Sequence, residues 1–453
     1  MRSKSKTVFW GFFSLDYKAM ETYLEDMARK GWMLEKVGRI TAKFKAIEPR
    51  NLKFYVDVFK EGGPLTPENT REAQEYRNLC QDSGWNYITS QDYLQFFYAE
   101  ADSDPVPIQT DQALEQKIVQ STLWKHELLS IIATLLVIVF LMAKFYPLKY
   151  TSLLYFTGVT VTFLLPLLGL PVLFIAVHYL IWMLRARNNI KKGLAIEKPT
   201  LKAARKRSRV YFIPIYFYGF IFLLAVIADA FFLPDIILVS LLPLVVGTGI
   251  GMGIRYMIKK KAVEKSDAVT YVVVAIAILL IIGPVTGSLL TKIETGRTNR
   301  IDAIPEGYPV VTLYDLTGGA KQGKLISREF SPGMSPLTPK HYSYWEIRDI
   351  NGETEGIRVN YYKTLNPHFA RIIFDGVTKK LEKGIKWRGM HLLTKTIITD
   401  DAMKKLWDVD NLALTEERDQ IIVRKGNIVV HLEGDIDFEK REIREIIISK
   451  LLK

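Results

Sequence analysis

The side chains that could carry out chemistry are few in this sequence, and their spacing fits no catalytic motif. The six histidines stand apart from one another and form no H-E-x-x-H zinc motif. The single cysteine, Cys80, excludes an intrachain disulfide and a cysteine-bound metal cluster. Neither a P-loop nor a G-x-S-x-G elbow occurs. The sequence therefore predicts no enzyme, with no catalytic, cofactor-binding or metal-binding residues.

The run GTGIGMG at 247–253 superficially resembles a dinucleotide-binding loop. It lies inside an apolar run and follows no soluble strand, which disfavours a cofactor site. The glycines instead form two small-x-x-x-small faces, Gly247 with Gly251 and Gly249 with Gly253, which allow close helix packing. The packing partner is a helix of this chain or of a second copy, so a homo-oligomer stays open.

Two carboxylates near an apolar segment keep one further chemical alternative open. Asp229 and Asp235 bracket a short connection between two apolar runs. Because ionisable residues inside membranes are often functional, they could form the cation-coupling site of a transporter. The favoured interpretation is that both lie hydrated in the membrane interface.

The elements around these residues are apolar runs long enough to cross a membrane. A bilayer core of about 30 Å needs about 20 apolar helical residues. The sequence predicts a five-helix transmembrane domain over 128–291. Its spans are Leu128–Ala143, Thr151–Leu184, Val210–Ala228, Ile236–Ile254 and Ala268–Thr291. The second run contains prolines and is either one kinked helix or a hairpin.

The placement of charge predicts the orientation of these spans. The net charge of +13 is concentrated in the loops 185–209 and 255–267, whereas the connection 229–235 has no Lys or Arg. With a cytoplasmic N-terminus, one long second helix places both basic loops in the cytoplasm, as the positive-inside rule requires. The sequence thus predicts a multi-pass bacterial cell-membrane protein with an extracytoplasmic C-terminus.

The most basic stretch is ARKRSR at 204–209, and it is predicted to face the cytoplasm. Near a membrane surface, each basic residue attracts anionic lipid by about 1 kcal/mol. The expected partner is therefore the lipid bilayer. Nucleic acid is not expected, because the sequence offers no helix to read it. The basic residues in question are Arg205, Lys206, Arg207 and Arg209.

A Gly-Trp pair occurs twice near the N-terminus, in KGWMLEKVG and SGWNYITSQ. Each follows a helix-like run and precedes a strand-like one, which predicts a helix ended by a left-handed glycine. Trp32 and Trp85 are then structural aromatic locks that fold back onto the helix just completed. A ligand cage built from the two rings is the disfavoured alternative.

The repeat defines an α+β domain of two α-β-β units over residues 5–101. Its second helix is predicted to begin at Thr66 and Pro67, a cap followed by a proline. Residues 102–127 form a linker with an amphipathic helix, predicted to lie on the membrane surface. Residues 292–453 show two ββα patterns, which predict a second, extracytoplasmic α+β domain.

The segments FFSLDYKAMETYLEDMARKGWMLEKVG and YRNLCQDSGWNYI resemble the cytoplasmic domain of the bacterial family called domain of unknown function 2812. The resemblance covers roughly the first hundred residues. It implies a soluble domain joined to several membrane spans and genes that lie beside PadR-like transcription regulators. It implies no enzymatic activity.

These patterns together predict five membrane-spanning helices flanked by two small α+β domains. The leading hypothesis is a regulatory or signalling protein that senses the cell envelope and relays to an unknown cytoplasmic protein partner. The alternative is a small transporter or an accessory subunit of one. A transporter requires polar residues that converge in the middle of the membrane, and the apolar runs offer only scattered ones.

Overall fold

The backbone of the first hundred residues forms the same β-α-β-β unit twice. Each unit is a three-stranded antiparallel sheet whose last strand lies in the middle, in the orders β1-β3-β2 and β4-β6-β5. Each observed repeat unit therefore has one more strand, before its helix, than the predicted α-β-β unit. The elements are β1 Ser5–Phe9, α1 Tyr17–Arg29, β2 Trp32–Val37, β3 Thr41–Ala46, β4 Leu52–Val58, α2 Arg71–Asp82, β5 Asn86–Gln91 and β6 Leu94–Glu100.

This is a computed structural model, and it describes most of the chain. The chain divides into two compact units. The first comprises Met1–Phe140, Pro166–Gly219 and Leu244–Ile282, and the second comprises Leu141–Leu165, Phe220–Pro243 and Gly283–Lys453. The described residues are 4–109, 111–145, 148–193, 199–233, 236–261, 303–317, 323–350, 352–387, 390–392 and 394–453.

Glycine ends both helices of the N-terminal domain in the left-handed conformation, with φ of +80° at Gly31 and +89° at Gly84. A side chain is costly at either position because L residues rarely adopt this φ. The two positions differ in the space that surrounds an added Cβ. A Cβ at Gly31 would stand 2.9 Å from the carbonyl oxygen of Ile47, whereas at Gly84 its nearest neighbour would be Pro105 at 3.3 Å.

We expect Gly84→Ala to lower the free energy of unfolding by about 1 kcal/mol and Gly31→Ala to lower it further, because the carbonyl clash adds to the backbone strain. Thermal unfolding in detergent measures both. Gly219→Ala is the control, since no described atom lies within 4 Å of a Cβ there and its φ is not left-handed. Equal stabilities of the three variants would contradict the expectation.

The predicted linker helix is part of the N-terminal domain. Helix α3, Gln112–Leu123, continues through a π-helical turn, Trp124–Leu128, into α4, Leu129–Phe145. Val119, Leu123 and Leu128 are buried in the same core as the α1 side chains. The prediction of a helix lying on the membrane surface is wrong, because its apolar face packs on protein.

Three helices of the described chain are long and apolar enough to cross a membrane: Ala113–Phe140, Phe156–Lys191 and Leu201–Ala230. We call Phe156–Lys191 α5 and Leu201–Ala230 α6. The second predicted span is thus a single helix and not a hairpin, with Pro166 and Pro171 inside it. Membrane helices tolerate such prolines because neighbouring groups re-satisfy the backbone.

The count of five spans is not supported beyond these three helices. The fourth predicted span, Ile236–Ile254, lies on α7, Ile236–Lys261, which is not among the three. The fifth, Ala268–Thr291, lies outside the described residues. Five spans therefore stay a prediction.

The C-terminal domain is built on a seven-stranded antiparallel sheet in the order β12-β13-β14-β15-β9-β8-β7. Both predicted ββ hairpins lie in this sheet, joined where β15 pairs with β9. Its elements are α8 Leu313–Leu316, β7 Lys324–Gly333, β8 Lys340–Ile350, β9 Glu353–Lys363, α9 Pro367–Lys383, β10 Ile385–Trp387, β11 Met390–Leu392, β12 Ile397–Ile398, α10 Asp401–Trp407, β13 Asn411–Thr415, β14 Gln420–Lys425, β15 Ile428–Gly434 and α11 Arg441–Leu451.

Helices cover both faces of this sheet. Ile421 and Val423 of β14 belong to one hydrophobic core with Ile447 of α11. Ile422, between them, belongs to another core with Ile373 of α9. The central strands β14 and β15 carry uninterrupted apolar runs, at 421–423 and 428–430, because each face is buried there, as is usual for a sheet covered on both sides.

Candidate functional site

Polar side chains of the N-terminal domain meet polar side chains of the long helices in one cluster, which we call the polar junction. All of its members lie in the first unit of the chain. The carboxylates come from the N-terminal domain and the π turn, and the cations from α6 and α7. The polar junction consists of Ser14, Asp16, Asp92, Tyr93, Glu127, Arg207, Arg255 and Lys259.

The first contact of the polar junction is a buried ion pair between Asp16 and Arg207. Asp16 directly precedes α1 and is fully buried, and a guanidinium nitrogen of Arg207 on α6 donates to its carboxylate. The second carboxylate oxygen accepts from the backbone N–H of Phe13 at 3.3 Å. Burial raises the pKa of Asp16, and the attraction of Arg207 only partly opposes that shift. Such a pair tolerates the loss of neither partner.

The second contact is made by Asp92, in the turn between β5 and β6. Its Oδ1 accepts from Arg255 Nη2 and from Lys259 Nζ, both at 2.6 Å. Burial alone would raise the pKa of Asp92, but these two cations of α7, together with Arg39, outweigh the effect of burial and hold the pKa below its ordinary value. Asp92 adopts a left-handed φ of +57°, a conformation that Asp adopts more readily than most residues other than Gly.

The third contact involves the π turn between α3 and α4. Glu127 Oε1 accepts from Ser14 Oγ at 2.8 Å and from the Tyr93 hydroxyl at 2.5 Å. Tyr179 of α5 is buried in the adjoining core. π-Helical turns often occur at functional sites because they break the regular helical ladder. The polar junction thus ties the N-terminal domain to the π turn, α6 and α7 by side-chain bonds and to α5 by packing.

The chemistry available at the polar junction is electrostatic attachment. The described residues include no cluster of three or more His, Cys, Asp or Glu that could hold a metal ion. Cys80 is buried in the domain away from these contacts, and burial raises its pKa to about 11. Its thiol is therefore protonated at neutral pH, the unreactive form.

The basic stretch predicted to face lipid is divided by the structure. Arg207 turns into the polar junction, whereas Lys206 and Arg209 are exposed. The guanidinium of Arg205 lies 6.0 Å from the ring centroid of Tyr23 on α1. The basic stretch can therefore have a second role besides orienting the spans, because Arg207, one of its four cations, binds the N-terminal domain.

The two predicted aromatic locks differ in burial. Trp85 is buried with Cys80 of α2, and its indole N–H donates to the carbonyl of Val106 at 2.8 Å. Trp32 is only half-buried, with the Lys6 ammonium 5.5 Å from its ring centroid. The rings belong to different cores, so the structure does not bring them together as a ligand cage.

The predicted helix-packing glycines lie on α7. No described atom stands within 4 Å of a Cβ built at Gly249, Gly251 or Gly253. Within the described part of the chain, these three positions make no close helix contact. Gly247 is half-buried on the same helix. Packing between copies stays a prediction.

Asp229 lies in the second unit and has a structural role that the sequence did not indicate. It is 2% exposed and accepts three hydrogen bonds at the start of α5: from the backbone N–H of Phe156 at 2.7 Å, and from the N–H and hydroxyl of Thr157 at 2.8 Å and 2.7 Å. The prediction that Asp229 is hydrated is wrong, because its side chain is buried. Asp235 lies outside the described residues.

Sequence reasoning missed Asp16, Asp92 and Glu127, although all three stand in recognisable places. Asp16 precedes a helix, Asp92 occupies a hairpin turn, and Glu127 lies where the apolar run begins. Solvated carboxylates are common at all three positions. The sequence therefore indicates where these side chains stand, but it does not indicate which cations or hydroxyl groups they bind.

We expect Asp92→Ala to loosen the attachment of the β5–β6 turn, because Arg255 and Lys259 lose their shared acceptor. Hydrogen exchange of the turn amides should rise about tenfold or more, since a hydrogen bond to a charged group contributes about 1.5–3 kcal/mol. Asp104→Ala removes an exposed carboxylate that forms no salt bridge with a described residue, and it is the control. Unchanged exchange in Asp92→Ala would contradict the assignment.

The same turn should also respond to pH. Since the pKa of Asp92 is lowered on folding, its stabilisation is complete above the ordinary pKa of 3.8 and is lost as pH falls through the lower folded value. Exchange of the turn amides in the wild-type chain should therefore rise below about pH 4, after correction for intrinsic exchange.

Comparison with known proteins gives one match. Residues 16–131 match the model of a family described as "Protein of unknown function (DUF2812)". No curated protein and no solved structure matches. The matched residues include the linker helix, the π turn and the three carboxylates of the polar junction, whereas Arg207, Arg255 and Lys259 lie outside the match.

Proposed function

We propose that this chain, whose residues 16–131 belong to the DUF2812 family, is a regulatory membrane protein in which that domain and the long helices act as one coupled element. A single observation carries the proposal: the family domain is attached to α6 by a buried ion pair and to α7 by a carboxylate shared between two cations. The charged and hydrogen-bonding side chains of the polar junction form this attachment.

The attachment has the properties that a relay needs. Separating a buried pair leaves an uncompensated charge, at a cost of about 3–5 kcal/mol. Movement of α6 relative to α7 must therefore move the domain or break one of its contacts. Coupling between sites requires an element whose arrangements differ in such contacts. In this proposal the helices carry the signal and the DUF2812 domain delivers it.

The direction of the signal rests on topology. We place the DUF2812 domain in the bacterial cytoplasm and the C-terminal domain outside, with five spans between them. The support is the charge of the loops 185–209 and 255–267, which the positive-inside rule assigns to the cytoplasm. The delivered signal reaches an unknown cytoplasmic protein partner, and the resemblance implies a link to PadR-like regulators, beside whose genes the family genes lie.

Topology can be tested with single cysteines, because the chain has only one of its own. In a Cys80→Ser background, Asp104→Cys reports on the DUF2812 domain and Glu416→Cys on the C-terminal domain, both at exposed positions. A membrane-impermeant maleimide applied to intact cells should label Glu416→Cys only. After permeabilisation it should label both. Equal labelling in intact cells would overturn the relay.

Partner delivery can be tested by photo-crosslinking from exposed apolar side chains of the DUF2812 domain. Leu79 on α2 and Ile40 before β3 are exposed by 65% and 56%. We expect one specific protein adduct whose yield changes with envelope stress, and we expect Asp92→Asn to abolish that change while the adduct persists. An adduct pattern unaffected by stress in the wild type would count against signalling.

A further inference from the structure

A cavity of about 240 Å³ lies between α5 and α6, beside the polar junction. It is smaller than the sites of drug-sized ligands, which are about 300–1,000 Å³. One wall is apolar, formed by Leu15, Ile181 and Ala203. Its polar lining consists of His178, Trp182, Arg185, Asn189, Thr200 and Arg207.

Two buried donors of this lining have no acceptor among the described atoms. Arg207 is 8% exposed; one of its terminal nitrogens binds Asp16, but its Nε–H has no partner in the part of the chain that the structure describes. The indole N–H of Trp182 is also buried and makes no hydrogen bond to a described residue. Leaving a buried donor unsatisfied costs about 1–3 kcal/mol, so such groups mark a place where an acceptor belongs.

The charge of the cavity defines the acceptor. Arg185 and Arg207 are cationic, the other polar side chains can donate, and the described residues of the lining include no carboxylate. Arginine and indole donors beside an apolar wall fit a phosphate group that is attached to an apolar body. A phosphate at this position would share Arg207 with Asp16, which links the cavity to the polar junction.

We propose that this cavity binds the phosphate headgroup of an anionic phospholipid. The apolar wall and the position on two helices able to cross a membrane favour a lipid over a soluble phosphate compound. The proposal rests on the proposed membrane location but not on the signalling role. Lipid occupancy would bias the Arg207–Asp16 pair and so regulate the attachment of the DUF2812 domain.

Native mass spectrometry of the full chain in detergent, titrated with phosphatidylglycerol, phosphatidylcholine or inorganic phosphate, tests the proposal. We expect one tight phosphatidylglycerol. Trp182→Phe keeps the ring packing but removes the N–H, and Arg185→Gln removes one charge. Each should weaken binding about tenfold, the equivalent of a 1.4 kcal/mol hydrogen bond to a charged group.

The matched control is Arg187→Gln, an exposed cation on the same helix that does not line the cavity. It should leave affinity unchanged. Phosphatidylcholine bound as tightly as phosphatidylglycerol, or equal affinities of the wild type, Trp182→Phe and Arg185→Gln, would overturn the site. Binding of inorganic phosphate that excludes the lipid would overturn the lipid assignment. Crosslinking to a cytoplasmic partner is a separate readout, so a failure of either proposal can be told from the other.

Discussion

Asp16→Ala is expected to lower the free energy of unfolding by about 3–5 kcal/mol, because Arg207 remains buried with an uncompensated charge. Arg207 is 8% exposed and cannot recover full hydration without pulling α6 away from the N-terminal domain. Thermal unfolding in detergent, followed by tryptophan fluorescence, measures the loss. The same variant should expose the start of α1 to protease, since Asp16 also accepts from the Phe13 N–H.

The double variant Asp16→Ala with Arg207→Met separates the pair from the cost of an orphaned charge. Replacing a buried ion pair by apolar groups is often neutral or stabilising, so the double variant should be more stable than Asp16→Ala alone. The surface pair Asp26–Arg29 provides the matched control, because both side chains are substantially exposed. Asp26→Ala should cost less than about 1 kcal/mol. Similar losses for Asp16→Ala and Asp26→Ala would contradict a buried junction.

The N-terminal domain could largely be predicted because its signals are local. Alternating side chains indicate the two strands that follow each helix, and the glycines set the helix ends. The start of α2 could not be placed. Thr70, and not Thr66, caps it, accepting from the Ala73 N–H at 3.2 Å. Arg77 holds the preceding loop through Asn69 and the Glu68 carbonyl, a contact that no capping pattern encodes.

The polar junction could not be predicted because its partners are distant in sequence. Asp16 and Arg207 are 191 residues apart, and Asp92 and Arg255 are 163 apart. The local sequence pattern is consistent with carboxylates that are solvated and with cations that face lipid. Only the tertiary packing brings each carboxylate to its cation. The linker helix shows the same limit, since one apolar face suits a membrane surface or a protein core equally well.

The second large effect is expected at Asp229, where the sequence alone left a transporter alternative open. Its carboxylate is already satisfied by three donors at the N-terminus of α5, where a negative charge is also favourable. Asp229→Ala should therefore lower the free energy of unfolding by about 2–3 kcal/mol. Asp229→Asn keeps an acceptor but loses the charge and should cost about half as much. Thr157→Val removes only the hydroxyl bond and should cost about 1 kcal/mol.

Stability and solute flux distinguish a helix cap from a cation-coupling site. A cap predicts that each substitution lowers the unfolding temperature in detergent in the order Thr157→Val, Asp229→Asn, Asp229→Ala. A coupling site predicts instead that Asp229→Asn abolishes cation-driven solute uptake into proteoliposomes with little change in unfolding temperature. Because both oxygens of the carboxylate already accept hydrogen bonds from α5, a cation would compete with three donors for the carboxylate lone pairs. Loss of flux without loss of stability would therefore support the transporter hypothesis and contradict the role of Asp229 as a helix cap.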